Sequence, residues 1–366
     1  MINARFIVGQ LMAVTALSKI VETGPWTGKD WEDSAAGIKV VNGEPMGMNG
    51  DAQKRIDAPK PVDGALGDYK QQANVKLLES FFTQENFEYL FPKRNAIYTY
   101  DAFVKAVAKF PHFCGENHAA GVSDKDTCSR ELSSLFAHMV QETSFGSQWE
   151  ADNKGIHLYR QGLYWLEEVA CQGGKGGWAC NYAAATGWAG KAWPVQAGKR
   201  YFGRGPFQLS WNYNYGPFST VFEESTYDAK MALLKDPDQI TKDGYTAFST
   251  ALWFYMTPQS PKPSMHDVMS GLFKPNQVDK DLGITGGFGT TINIINGGLE
   301  CGKGAESKKA ANRGTYYKEF LTYFKLAQES DLGCGGEKPF KAGGAGDLKA
   351  YFQKGTESGK CQLVSW

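Results

Sequence analysis

The chain has 366 residues, enough for one large core or two modest ones, and 42% of them are hydrophobic, so it should fold. Lys and Arg together number 39 and Asp and Glu 39, giving a formal net charge of zero, so no global field draws the chain toward nucleic acid or an anionic membrane. No apolar run approaches the roughly 18 residues of a membrane span, and a neutral ligand, or one held by local contacts, is expected instead.

At the N-terminus Arg5 precedes the apolar stretch 6–17, and Val14-Thr15-Ala16 resembles a small-residue cleavage site. Residues 1–21 therefore read either as a weak secretory signal or, because Gln10 interrupts the stretch, as an ordinary amphipathic helix. Residues 22–74 are rich in Gly, Pro, Asp and Lys with little periodicity and read as a linker or loosely packed arm. Order is expected from about Val75, where Leu77, Leu78, Phe81 and Phe82 follow helical spacing, and 100–107 predicts a second short helix. The clearest helix covers 129–145, with Leu132, Leu135, Phe136, Met139 and Val140 repeating on one face. Glu142 falls seven positions after Leu135, on or beside that stripe. It is either a partly desolvated carboxyl with a raised pKa or a charge at a fraying helix end.

Residues 145–205 hold few regular signals and many Gly, Trp and Tyr, and a long irregular segment inside a compact domain is usually functional. Helices are predicted around 227–234 and 245–257. A Gly-rich turn at 283–290 leads into 291–296, and a last helix covers 306–328. Few strands and no repeat emerge, so the class is mainly α. The catalytic domain is set at 75–335 and a C-terminal tail at 336–366.

Cys114, Cys128, Cys171, Cys180, Cys301, Cys334 and Cys361 are all the cysteines. No Cys-x-x-Cys pair occurs and there are only 5 His, so no metal site is expected. Disulfides in an oxidising compartment fit better, with one thiol left over. The 22 Phe, 17 Tyr and 10 Trp suit either core packing or stacking on sugar rings, and core packing is the expectation for most.

Three segments narrow the chemistry. Residues 137–144 read Ala-His-Met-Val-Gln-Glu-Thr-Ser. Residues 198–215 contain Gly-Lys-Arg-Tyr-Phe-Gly-Arg-Gly-Pro-Phe-Gln-Leu-Ser-Trp-Asn-Tyr-Asn-Tyr, and 287–302 contain Thr-Ile-Asn-Ile-Ile-Asn-Gly-Gly-Leu-Glu-Cys-Gly. In this order they resemble the family 19 glycoside hydrolases, the lysozyme-like chitinases, over about 85–340. The resemblance implies a mainly α, two-lobed lysozyme-like fold with a substrate cleft between the lobes and long irregular loops. It implies endo-type cutting of chitin with inversion by a single displacement, and no cofactor. Hydrolysis of this kind needs two carboxyls in opposed protonation states.

Residue by residue, Glu142 matches the family's general acid, although Gln141 stands where the family usually has His. Glu168, at the end of 162–168, matches the general base; a slip of one residue would put Glu167 there instead. Ser210 resembles the serine that positions the attacking water. Gln208, Tyr213, Asn214 and Asn296 match substrate contacts, and Thr143, Ser144 and Trp193 complete that set. Glu300 and Arg313 resemble an ion pair that steadies the base. Ser249 replaces a family Lys, and Val195 replaces a family Cys. The resemblance pairs Cys301 with Cys334; Cys114 with Cys128 would staple the loop before the helix of Glu142. The loss at Val195 leaves Cys171 as mate for Cys180, with Cys361 odd. A secreted monomer acting on chitin or chitooligosaccharides is expected. Two rival readings are a peptidoglycan-cleaving relative of the same fold and a protein that binds chitin without cutting it.

Overall fold

The computed structural model describes residues 69–341, apart from 147–154, 187–189, 191–192, 223–231 and 260–261, together with 40–41 and 44–45. The expected signal segment, most of the expected arm, and Cys361 lie outside the described residues. The only strands among them are β1 (Val40–Val41) and β2 (Glu44–Pro45), paired antiparallel. The rest is helical or irregular, as the mainly α expectation requires.

The N-terminal helices α1 (Ala73–Glu79), α2 (Gln84–Leu90) and α3 (Tyr100–Lys109) wrap one end of α4 (Asp124–Thr143). Ser123 caps α4 by accepting from the Asp126 amide, and Asp124 and Asp126 lie in its first turn, where the helix dipole favours anions. Its predicted stripe of Leu132, Leu135, Phe136, Met139 and Val140 is fully buried. Phe82, Phe87, Phe103 and Phe136 interlock there, and Phe248 meets Phe103 edge to face at 5.4 Å.

Among the described residues between α4 and residue 211 the chain is largely irregular, with 3₁₀ turns at Leu158–Arg160, Val169–Gly174 and Gly177–Cys180. Then follow α5 (Asn212–Phe222), α6 (Ala232–Lys235), α7 (Gly244–Met256), α8 (Met265–Met269), α9 (Gln277–Asp281), α10 (Phe288–Glu300) and α11 (Lys308–Tyr323). α11 lies along α4, with Phe320 against Phe136 at 5.6 Å between ring centroids. α10 breaks helical geometry at Asn296 (φ −145°, ψ 29°), near its C-terminal end.

Three disulfides join Cys114–Cys128, Cys171–Cys180 and Cys301–Cys334. Packing does not stop at residue 335. Glu337 is buried with Thr290 and Asn293 donating to its carboxylate, and Phe340 belongs to the core. The segment assigned to the tail thus begins packed against α10, through Glu337.

Candidate active site

The site is assembled from the last turn of α4 and the irregular chain that follows it. Thr143 faces inward: its hydroxyl donates to Met139 O and accepts from the Leu163 amide at 2.7 Å, while its carbonyl accepts from Tyr164 and Trp165 at 3.2 and 3.1 Å. Leu163 adopts φ +60°, unusual for a side chain branched at Cγ, and the triple anchor at Thr143 holds it there. The chain then continues to Glu168, whose amide donates to Gly203 O at 2.9 Å. A second tight segment has Gln208 at φ +49° and Trp211 at φ +76°, with Ser210 between them.

These turns open one cleft of ≈ 680 Å³, within the usual range for ligand sites. Glu142, Glu167, Glu168, Ser210, Arg313 and Asn296 all line it, as do Gln208, Tyr213 and Asn214. The sequence-predicted acid, base and water-holding residues therefore share one cavity. Glu168 Oε1 accepts from the Tyr182 hydroxyl at 3.1 Å. Glu167 also borders a second hollow beside Lys93 and Arg94, and burial raises its pKa against the charge of Arg204. Ser210 donates its hydroxyl to Gln208 O at 2.9 Å, which leaves oxygen lone pairs free to accept.

Arg313 is the electrostatic hub. Nε and Nη2 each donate to Glu300 at 2.9 Å, Nη2 also meets Glu142 Oε1, and Nη1 points at His138 Nδ1 at 3.1 Å. Burial works against its charge, but the two carboxylates prevail and raise its pKa. Glu300 is likewise pushed up by burial and brought below its ordinary range by Arg313 and by Asn296, which donates to it at 2.7 Å. The pair expected to steady the base is thus found on the other carboxylate. α11 lies along α4, so Arg313 reaches Glu142 rather than Glu168. Glu142 is accordingly about a fifth exposed and bound to a cation, not sheltered in an apolar pocket.

Other expectations are corrected by packing. Thr143 is fully buried, since a helix turns about 100° per residue and carries it away from the face of Glu142. Trp193 is buried over Gly216, where an added Cβ would lie 2.2 Å from the indole. Ser144 closes α4 through its amide to Val140 O and is not among the cleft residues. Ser249, in place of a family Lys, is buried on α7. Glu300 sits behind the cleft wall.

Sequence reasoning missed several lining residues. Trp211, more than a third exposed, stacks on Tyr213 at 5.7 Å and meets Tyr182 edge to face at 5.3 Å. The alternation Trp211-Asn212-Tyr213 was a usable signal for a platform; nothing local marked Tyr182, Lys262 or Lys309, which folding brings in. Two amides of the wall donate to the protein, Gln208 to Gly205 O and Asn214 to Ser210 O. Gln141 Oε1 and Asn214 Oδ1 have no protein donor among the described residues.

Residues 76–334 match the family profile described as Chitinase class I. The chain is 40% identical over 243 residues to Chitinase 12 of Oryza sativa subsp. japonica, covering 66% of this chain and 67% of that one. It is 35% identical over 285 residues to Endochitinase A2 of Pisum sativum, covering 76% and 79%. It is also 36% identical over 273 residues, 73% and 78% of the two chains, to a Hevea brasiliensis protein named Inactive chitinase-like protein 1.

Proposed function

This chain belongs to the chitinase class I family of glycoside hydrolases, and from that membership we propose that it cuts β-1,4-linked N-acetylglucosamine polymers internally and with inversion. Glu142 gives its proton to the leaving glycosidic oxygen. Glu168 takes a proton from a water that Ser210 helps to hold. The water oxygen bonds to the anomeric carbon from the opposite face as the carbon–oxygen bond breaks. The observation that carries this reading is the convergence of Glu142, Glu168 and Ser210 on one cleft.

Proton donation leaves a negative charge on Glu142. Arg313, itself fixed by Glu300 and His138, meets that charge without reorganising. Gln141 Oε1 and Asn214 Oδ1, lacking protein donors, suit acetamido N–H or sugar hydroxyl groups. The Trp211–Tyr213 stack offers a flat apolar face to a sugar ring. A relative named inactive exists at similar identity; the presence of both carboxylates at the cleft supports a working enzyme here. The three disulfides support residence in an oxidising compartment, hence secretion.

The test is a time course on soluble hexa-N-acetylchitohexaose with anomer analysis, for the wild type and Glu142→Gln. The reading expects α-anomers as the first products and their loss in the variant, by about 10²-fold or more. First-formed β-anomers, or a variant keeping a tenth of wild-type turnover, would overturn it.

A further inference from the structure

The segment Cys171-Gln-Gly-Gly-Lys-Gly-Gly-Trp-Ala-Cys180 is glycine-rich, yet it is built to hold one shape. Its ends are joined by a disulfide. Arg200 reaches across it, donating from Nη2 to Cys171 O at 2.8 Å and from Nη1 to Gly174 O and Lys175 O at 3.3 and 3.1 Å. Gly176 takes φ +76°, and an added Cβ there would lie 2.2 Å from Cys180 Sγ, so only glycine lets the chain pass the disulfide. Phe202 packs on the two cysteines from beneath.

What this braced loop presents is Trp178, 86% exposed. A single exposed apolar residue needs no explanation in itself. The placement does. The loop begins two residues after Val169 and ends two before Tyr182, and both of these line the cleft. Its base is tied to the catalytic segment, because the Cys171 amide donates to Glu168 O at 2.9 Å. Val169, Trp211 and Leu299 are exposed large apolar side chains that also line the cleft. Trp178 thus stands on a loop both of whose ends reach the cleft, beside a site that already exposes apolar side chains. The loop carries Lys175 and no acidic residue, so it suits a neutral surface.

We propose that Trp178 is a binding contact outside the cleft, stacking on the apolar face of N-acetylglucosamine rings at the surface of insoluble chitin and delivering a chain end or strand to the cleft. This rests on the chitinase reading above. A rigid mount suits such a contact, since an indole held in place by the disulfide and Arg200 loses little entropy when it docks.

The experiment compares wild type, Trp178→Ala and Trp178→Tyr in three measurements: melting temperature, hydrolysis of soluble hexa-N-acetylchitohexaose, and partition onto insoluble chitin particles with release of soluble sugar from them. Trp178→Ala should melt as the wild type does and cleave the soluble hexamer at an unchanged rate. Its partition and its release from particles should fall about three- to tenfold, the range expected for one aromatic face. Trp178→Tyr, which keeps a flat ring, should recover most of the loss. Unchanged partition in Trp178→Ala overturns the inference, as does equal loss on soluble and insoluble substrate, or a Tyr variant no better than Ala. If the wild type cleaves neither substrate, it is the chitinase reading that fails.

Discussion

His138 Nδ1 accepts a hydrogen bond from Arg313 Nη1 at 3.1 Å, four residues before Glu142 on the same helix. A guanidinium only donates, so this nitrogen is unprotonated and the ring proton sits on Nε2. From there it is given to Thr291 Oγ1 at 2.9 Å, and the Thr291 hydroxyl passes the chain on to Phe288 O at 2.6 Å. Burial first, and the charge of Arg313 second, push His138 well below its ordinary pKa.

His138 is therefore a positioning residue for Arg313, and its replacement should be felt at Glu142. His138→Ala removes the acceptor for a buried N–H, worth about 1–3 kcal/mol, and should lower kcat about tenfold with little change in KM. His138→Gln, which restores an oxygen acceptor, should recover part of that loss. The pH dependence has a definite sign. The folded pKa is depressed, so wild-type stability falls as pH drops below about 6.5, where only the unfolded histidine binds a proton. His138→Gln should show a shallower acid decline in melting temperature; an identical decline would remove His138 from this role.

Glu168→Gln and Glu167→Gln separate the two adjacent carboxylates. Both line the cleft, but only Glu168 receives the Tyr182 hydroxyl, while Glu167 is turned toward Arg204 and the second hollow. The Glu168 change should cost about 10²-fold or more in turnover and the Glu167 change far less. Steady-state rates on a soluble oligosaccharide decide the matter, and a dominant effect at 167 would exchange the assignments.

Ser210→Ala should lower kcat about tenfold while leaving the melting temperature close to wild type. The hydroxyl does donate to Gln208 O, a local bond in an already strained turn. If that bond is its whole contribution, the variant will melt earlier and turn over normally.

Far from the cleft, His266 is clamped between carboxylates, Nδ1 to Glu131 at 2.6 Å and Nε2 to Glu116 at 3.0 Å. His112 and His118 meet Glu116 from the other side, and the Cys114 amide donates to Glu131 at 2.9 Å. Burial pulls His266 down, but the two glutamates outweigh it and raise it to about 10. Burial also acts upward on Glu116, which His112 and His266 bring well below the carboxylate range. A raised histidine stabilises fully below its unfolded value of about 6.5 and loses this as pH rises toward 10; a depressed glutamate stabilises above about 4.5 and loses it in acid. His266→Gln should therefore lower the melting temperature most between about pH 4.5 and 6.5. A deficit that stays constant from pH 4 to 10 would contradict the ion-cluster account.

Helices whose faces are wholly committed to the core were legible in the sequence. α7 was found within a residue of its limits, whereas α4 begins five residues before the expected 129 and α11 ends five before the expected 328, at ends where polar residues and caps rather than apolar spacing set the boundary. α2 was not found, because only Phe87 and Leu90 of its seven residues are buried and its Thr83–Asn86 capping box is a polar signal. α5 was not anticipated; it holds Gly216 and Pro217, residues that interrupt a helical pattern. In the site, contiguous segments delivered Glu142, Gln208, Ser210, Asn214 and Asn296 together. The partner of Arg313 was not legible, since it depends on how α11 packs along α4. Trp193 was misjudged because a tryptophan near sugar-binding segments reads the same whether it faces a ligand or lies on a glycine.

Thr143 has a consequence for how such a cleft is held together. By its hydroxyl and its carbonyl it joins the end of α4 directly to Leu163, Tyr164 and Trp165. The chain between these points closes a loop whose two ends are already fastened to each other. How the segment of Glu168 is registered against that of Glu142 is fixed at these ends. What the intervening segment touches and how Glu142 and Glu168 are spaced are thus set by different parts of the chain.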